Sequence, residues 1–261
     1  MKSRLIAQML VIVFLIAFLS FAFAQAADNT GHQERLSKHY RLEKPKGTGP
    51  FPAVMIVPGC SGFHADFQKE FYNEVQKRLV ELGYVTLRVD YLAARNLSSC
   101  ANDMVIAVSA EEVAADIAIA AGYLKEQTFV KKDRLNVLGW SYGAAGALQA
   151  LGRNYNREPV KVDAVVAYYP YCAAIQQRWD SEAPVLVLVG MLDNAASERN
   201  CTRFFSGLPD ERLTIRSYEN AHHGFDNFTL PAEKQYSFGT LGYNKAAAES
   251  AWMEVTNFLR K

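Results

Sequence analysis

Ser141 lies between two glycines in RLNVLGWSYGAAGALQA, residues 134–150, where an apolar run gives way to small residues that suit a helix. A serine at such a join is either part of a tight turn or a nucleophile. The second reading has a specific physical form. In Gly-x-Ser-x-Gly between a strand and a helix, the turn is so sharp that side chains at Gly139 and Gly143 would collide with neighbouring backbone. The serine hydroxyl is then exposed at a helix N-terminus. There the positive end of the helix and the free N–H of Tyr142 can stabilise a developing oxyanion.

A serine hydroxyl is a weak nucleophile without a base. The chain has five histidines, at positions 32, 39, 64, 222 and 223. His32 and His39 precede the expected core, and His64 follows its first strand. His222 and His223 come after a late strand, downstream of the serine. Asp193, in VGMLDNAAS, lies between the two and just past another apolar run. Ser141, Asp193 and His223 therefore occur in the order that one α/β architecture uses for nucleophile, acid and base. Asp193 could instead cap a helix around 196–206, and His223 could be structural. Asp90 and Asp226 are rival acids, although Asp226 is too near His223 in sequence to buttress it easily.

These residues need elements to position them. PFPAVMIVPG (50–59), YVTLRVD (84–90), RLNVLG (134–139), VDAVVAYYP (162–170), APVLVLVG (183–190) and ERLTIRSYE (211–219) read as strands. Helices are expected at 66–83, with Phe67, Phe71, Val75, Leu79 and Leu82 at helical spacing, and at 109–127. The second opens on Ser109 as N-cap, with Glu112 three residues on. Two more are expected from Ser141 to Leu151 and over 244–261. Strands that are apolar all round, alternating with helices, argue an α/β fold with a mostly parallel central sheet and helices on both faces. The active residues of such sheets gather beyond the carboxyl ends of the strands, where Ser141, Asp193 and His223 all fall.

Lys2 and Arg4 precede an apolar run that ends in small residues near Ala24-Gln25-Ala26. This layout reads as a secretory signal over 1–26, the other reading being a retained membrane anchor. Residues 27–37 are polar and read as a flexible lead-in, and 38–261 as one domain. The expected location is periplasmic or secreted, with no stable membrane insertion once the signal is removed. In an oxidising compartment the four cysteines (Cys60, Cys100, Cys172, Cys201) suggest two disulfides, with three pairings open. No two cysteines have metal-ligand spacing, and His222 and His223 are adjacent, so no metal or cofactor is expected. A net charge of +1 without a basic run leaves no footprint for nucleic acid.

The segments VLGWSYGAAG, PVLVLVGMLDNAAS and YENAHHGFDN resemble the dienelactone hydrolase family of α/β-hydrolases, over roughly 38–260. In that family the catalytic histidine directly precedes Gly-Phe, which corresponds to His223, and the acid corresponds to Asp193. VPGCSGFHADF is similar to the family's oxyanion loop, so the resemblance implies that the Cys60 N–H joins that of Tyr142. Members named for dienelactone hydrolysis carry an elbow cysteine, a glutamate in the oxyanion loop and arginines that hold a substrate carboxylate. Here the elbow residue is Ser141, and no acid lies between Pro58 and His64. Arg95 matches one of the arginines with a one-residue offset, as a substrate anchor or a plain surface residue. The departures favour a more general carboxylic ester. The expected partner is a small-molecule ester or lactone substrate, and the chain is expected to be a monomer. The exported branch of the family implies the pairs Cys60–Cys100 and Cys172–Cys201. A secreted binding protein without turnover is the competing reading, and a peptidase or acyltransferase would use the same residues.

Overall fold

The computed structural model describes residues 30–102, 105–153, 158–176, 182–196, 201, 205 and 210–261. The expected signal segment 1–26 and most of the expected helix around 196–206 lie outside the described residues.

Seven strands form the main sheet: β1 (Arg41–Glu43), β2 (Phe51–Val57), β3 (Val85–Arg88), β4 (Val130–Trp140), β5 (Ala164–Tyr168), β6 (Val185–Gly190) and β7 (Leu213–Tyr218). Their spatial order is β1-β3-β2-β4-β5-β6-β7. Only the β1–β3 pairing within this sheet is antiparallel. Alternate side chains of the parallel strands feed two cores. Val54, Ile56, Leu138, Val166 and Leu186 pack on one face with α1 (Asp66–Glu81) and α4 (Lys245–Leu259). Met55, Val57, Leu87, Val137 and Val165 pack on the other with α2 (Ala110–Glu126) and α3 (Ser141–Gln149). Both faces being covered explains why the strands read as unbroken apolar runs. Ser109 and Glu112 form the expected capping box, each side chain satisfying a backbone N–H of the other's residue.

The strand order places the site. From β2 the chain moves outward to β3, then crosses back so that β4 lies on the opposite side of β2. From β4 it proceeds away toward β7. The carboxyl ends of β2 and β4 therefore meet at the point where the winding reverses, and no crossover helix covers the crevice there. The loop after β2 carries Gly59 and Cys60, and β4 runs straight into Ser141.

One expectation needs correction. Residues 30–38 are helical, not a flexible lead-in. Leu36 is fully buried in the core, and His32 Nε2 lies 2.6 Å from the buried Asp116 carboxylate, so the segment is anchored at two points. Among the described residues no helix is long and apolar enough to cross a membrane.

Candidate active site

Ser141 opens α3 directly after β4, with φ at +50°. This left-handed conformation is costly for a residue with a side chain and persists only where the surroundings enforce it. They do so by crowding. A Cβ on Gly143 would lie 2.2 Å from the Pro58 carbonyl oxygen, and one on Gly139 2.6 Å from Ala144 Cα. The loop after β2 is thereby pressed against the first turn of α3.

His223 lies at the far end of the loop after β7, and Asp193 just past β6. His223 Nε2 is 2.9 Å from Ser141 Oγ, and its Nδ1 is 2.8 Å from Asp193 Oδ2. Both side chains are nearly inaccessible, at 8% for His223 and 1% for Asp193, so water competes little for these bonds. The other Asp193 oxygen accepts from the N–H groups of Ala195 and Ala196 at 2.9 and 2.8 Å. The bonds to the Ala195 and Ala196 N–H groups and the contact with His223 thus coexist, one on each carboxylate oxygen. An ionised carboxylate only accepts, so the Asp193 bond puts the imidazole proton on Nδ1 and leaves Nε2 free to accept from Ser141.

The loop after β2 is held by residues that the sequence reading passed over. Gly59 N–H donates to Tyr72 Oη at 3.0 Å, and Tyr91 Oη donates to the Gly59 carbonyl at 3.2 Å. Burial pushes both phenols well above the ordinary tyrosine range, so they stay protonated. Cys60 bonds to Cys100 and Cys172 to Cys201, the pairs that the resemblance implies. The Cys100 N–H also donates to the Cys60 carbonyl at 2.9 Å, so this junction is tied twice. Tyr72 falls on the buried side of α1 beside Phe71, where helical spacing signals only core. Its hydroxyl role has no sequence signature.

The rival acids go elsewhere. Asp90 lies 2.9 Å from His64 Nε2, and its other oxygen accepts from Ala93 N–H. Asp226 accepts from Trp140 Nε1 at 2.8 Å and from Tyr169 Oη at 2.7 Å. It therefore touches the residue before Ser141 and the tyrosine whose ring centroid lies 4.5 Å from that of His223. Burial is the main reason its pKa rises to about 6, partly offset by those two donors. His222 is turned away, with Nδ1 3.3 Å from the Leu192 carbonyl. Arg95 corrects the expectation of a substrate anchor. Its Nη1 donates to the Tyr91 carbonyl at 2.8 Å and to Asp116 Oδ2 at 2.5 Å, and Nη2 reaches Asp116 Oδ1. Asp116 is fully buried on α2 and needs a charged partner, so Arg95 cross-links the 91–95 turn to that helix.

Chemically, the arrangement presents a hydroxyl, a base with a fixed tautomer and a helix N-terminus at one crevice. The family model described as "Dienelactone hydrolase family" matches residues 39–261. A Bradyrhizobium protein named as a probable 2-oxo-3-(5-oxofuran-2-ylidene)propanoate lactonase is 25% identical over 238 residues, 84% of this chain and 87% of its own. Among solved structures, a candidate dienelactone hydrolase from Klebsiella pneumoniae superposes with a TM-score of 0.67 at 19% identity, covering 85% of this chain and 92% of that one. A thermophilic esterase from Thermogutta terrifontis gives 0.58 at 15% identity, covering 84% and 85%. The last two speak for the fold, and the family match spans nearly all of the described chain. The chain belongs to the dienelactone hydrolase family of α/β-hydrolases, and with it to the carboxylic ester hydrolases.

Proposed function

We propose that this hydrolase cleaves carboxylic esters or lactones through a covalent acyl-enzyme on Ser141. The observation that carries the proposal is the continuous hydrogen-bond chain from Ser141 through His223 to Asp193. His223 Nε2 takes the serine proton as Oγ attacks the substrate carbonyl, and the C–O π pair moves onto oxygen. The N–H groups of Tyr142 and Cys60 receive that oxyanion. Collapse expels the alcohol, which takes the proton from His223, and water then repeats the sequence to release the acid. Asp193 orients the imidazole and stabilises its cationic form.

Serine at the elbow, with Arg95 occupied by Asp116, favours general esters over substrates that need a carboxylate clamp. The lactonase relative keeps cyclic esters in the substrate class. Two disulfides and the apolar leader at 1–26 support an exported protein, periplasmic or secreted, and we read it as a monomer.

A fluorophosphonate probe tests the core of the reading. Wild type should be labelled and Ser141→Ala should not. A folded, oxidised wild type that stays unlabelled would leave the binding-protein reading standing. A panel of p-nitrophenyl esters beside a dienelactone and a peptide separates esterase from peptidase use of the same residues.

A further inference from the structure

A cavity of about 590 Å³ opens between α1, α4 and the loop at 226–228. Its size is that of a small-molecule site. Ser141, Asp193 and His223 do not line it, so it is separate from the crevice above. Six of its lining residues are aromatic: Phe71, Trp140 and Tyr168 are almost wholly buried, Tyr243 and Trp252 half-buried, and Phe228 exposed. The Asp226 carboxylate borders it, held by two neutral donors, and among the described residues no ion pair includes it. Glu70, Glu74 and Glu249 add negative charge, opposed by Lys77 and Arg78. Lys77 pairs with Glu74 and Lys245 with Glu249, each at 3.8 Å, and the Arg78 guanidinium lies 4.1 Å from the Trp252 ring centroid. The Trp252 ring therefore already carries a cation, and Glu70 and Asp226 are the lining carboxylates that no ion pair includes among the described residues.

We propose that this cavity binds a small organic cation of the quaternary ammonium class, with its alkyl groups against the aromatic walls and its charge toward Asp226. The chemistry selects that class. A bare metal ion would lose hydration that one carboxylate, already accepting two bonds, could not replace. An alkylated ammonium is weakly hydrated, gains apolar contact and is attracted by ring faces. Its charge would also relieve the burial that holds Asp226 at about 6.

Choline and its neutral isostere 3,3-dimethyl-1-butanol provide the test, titrated into the oxidised protein by calorimetry and tryptophan fluorescence. Choline should saturate a single site, and the isostere should bind at least about tenfold more weakly. Asp226→Asn should weaken choline by a similar factor. Glu249→Gln, on the exposed side of α4, should weaken it about twofold without risk to folding. Ser141→Ala and fluorophosphonate-labelled protein should bind choline as wild type does. The proposal is overturned if choline shows no saturable signal, if the isostere binds equally well, or if labelling of Ser141 blocks choline. The last result would place the probe in the active-site crevice.

Discussion

Asp226 is the residue whose titration the fold changes most usefully. Its pKa stands at about 6 against a reference of 3.8, with burial the leading cause. A carboxyl raised in the folded state binds its proton more tightly there than in the unfolded chain. Its favourable contribution is complete below about pH 4 and is lost as pH rises through about 6. Asp226→Asn has no proton to lose. The difference in unfolding free energy between variant and wild type should therefore shift in the variant's favour between about pH 4 and pH 7, then level off. Urea unfolding at several pH values checks this, and parallel profiles would contradict it. A constant offset is also expected, because an amide cannot accept from both Trp140 and Tyr169 as a carboxylate does. The residues that would do the chemistry were legible in the sequence and those that hold them were not. Ser141, Asp193 and His223 are conspicuous because each follows a strand in a recognisable order. Tyr72, Tyr91 and Tyr169 contribute one hydroxyl each from otherwise apolar surroundings, and only the folded contact distinguishes that from packing.

Helix α3 is positioned by a contact at its first turn and another along its side. The first turn meets the loop after β2 at Gly143, and its middle meets α2 at Gly146. A Cβ on Gly146 would lie 2.3 Å from Val113 Cγ1 and 2.6 Å from its Cβ, an approach that only glycine allows. Val113 is fully buried and β-branched, so it cannot rotate away. Gly146→Ala should cost about 1–3 kcal/mol in urea unfolding despite the better helix propensity of alanine. Val113→Ala combined with Gly146→Ala should recover part of the clash, giving coupling that a cycle of the four proteins measures. Additive losses would show that the α2–α3 approach is not what glycine serves. Short or polar elements are where sequence reading fell short at this scale. β1 is three residues long and half-exposed, too brief for alternation to register. β4 begins at Val130, yet Lys131, Lys132 and Asp133 hide its first turn of pairing with Phe51. The helix at 30–38 buries essentially one large apolar residue, Leu36, and shows no stripe to recognise.

Across the molecule, the two disulfides brace opposite sides of one crevice. Cys60–Cys100 ties the loop after β2 to the loop beyond β3, and Cys172–Cys201 ties the end of β5 to the chain beyond Asp193. They close segments of 40 and 29 residues, for which chain entropy gives about 4 and about 3.5 kcal/mol. Replacing either pair by serines should thus lower stability by similar amounts. Activity should not follow stability. Cys60 carries a proposed oxyanion donor, and its junction with Cys100 also fixes the peptide that Tyr72 and Tyr91 clamp from below. Loss of the first pair should lower kcat by up to about 10²-fold with little change in KM, because the interaction lost is one made mainly in the transition state. Loss of the second pair leaves the Tyr171 N–H bond to the Ser141 carbonyl as an independent tie between β5 and the elbow, so kcat should stay within about threefold of wild type. Urea unfolding and ester kinetics on the two double variants, below their melting ranges, separate the effects. Equal loss of kcat in both would mean that the bridges act on activity only through general stability, and the assignment of Cys60 to the oxyanion would lose its support.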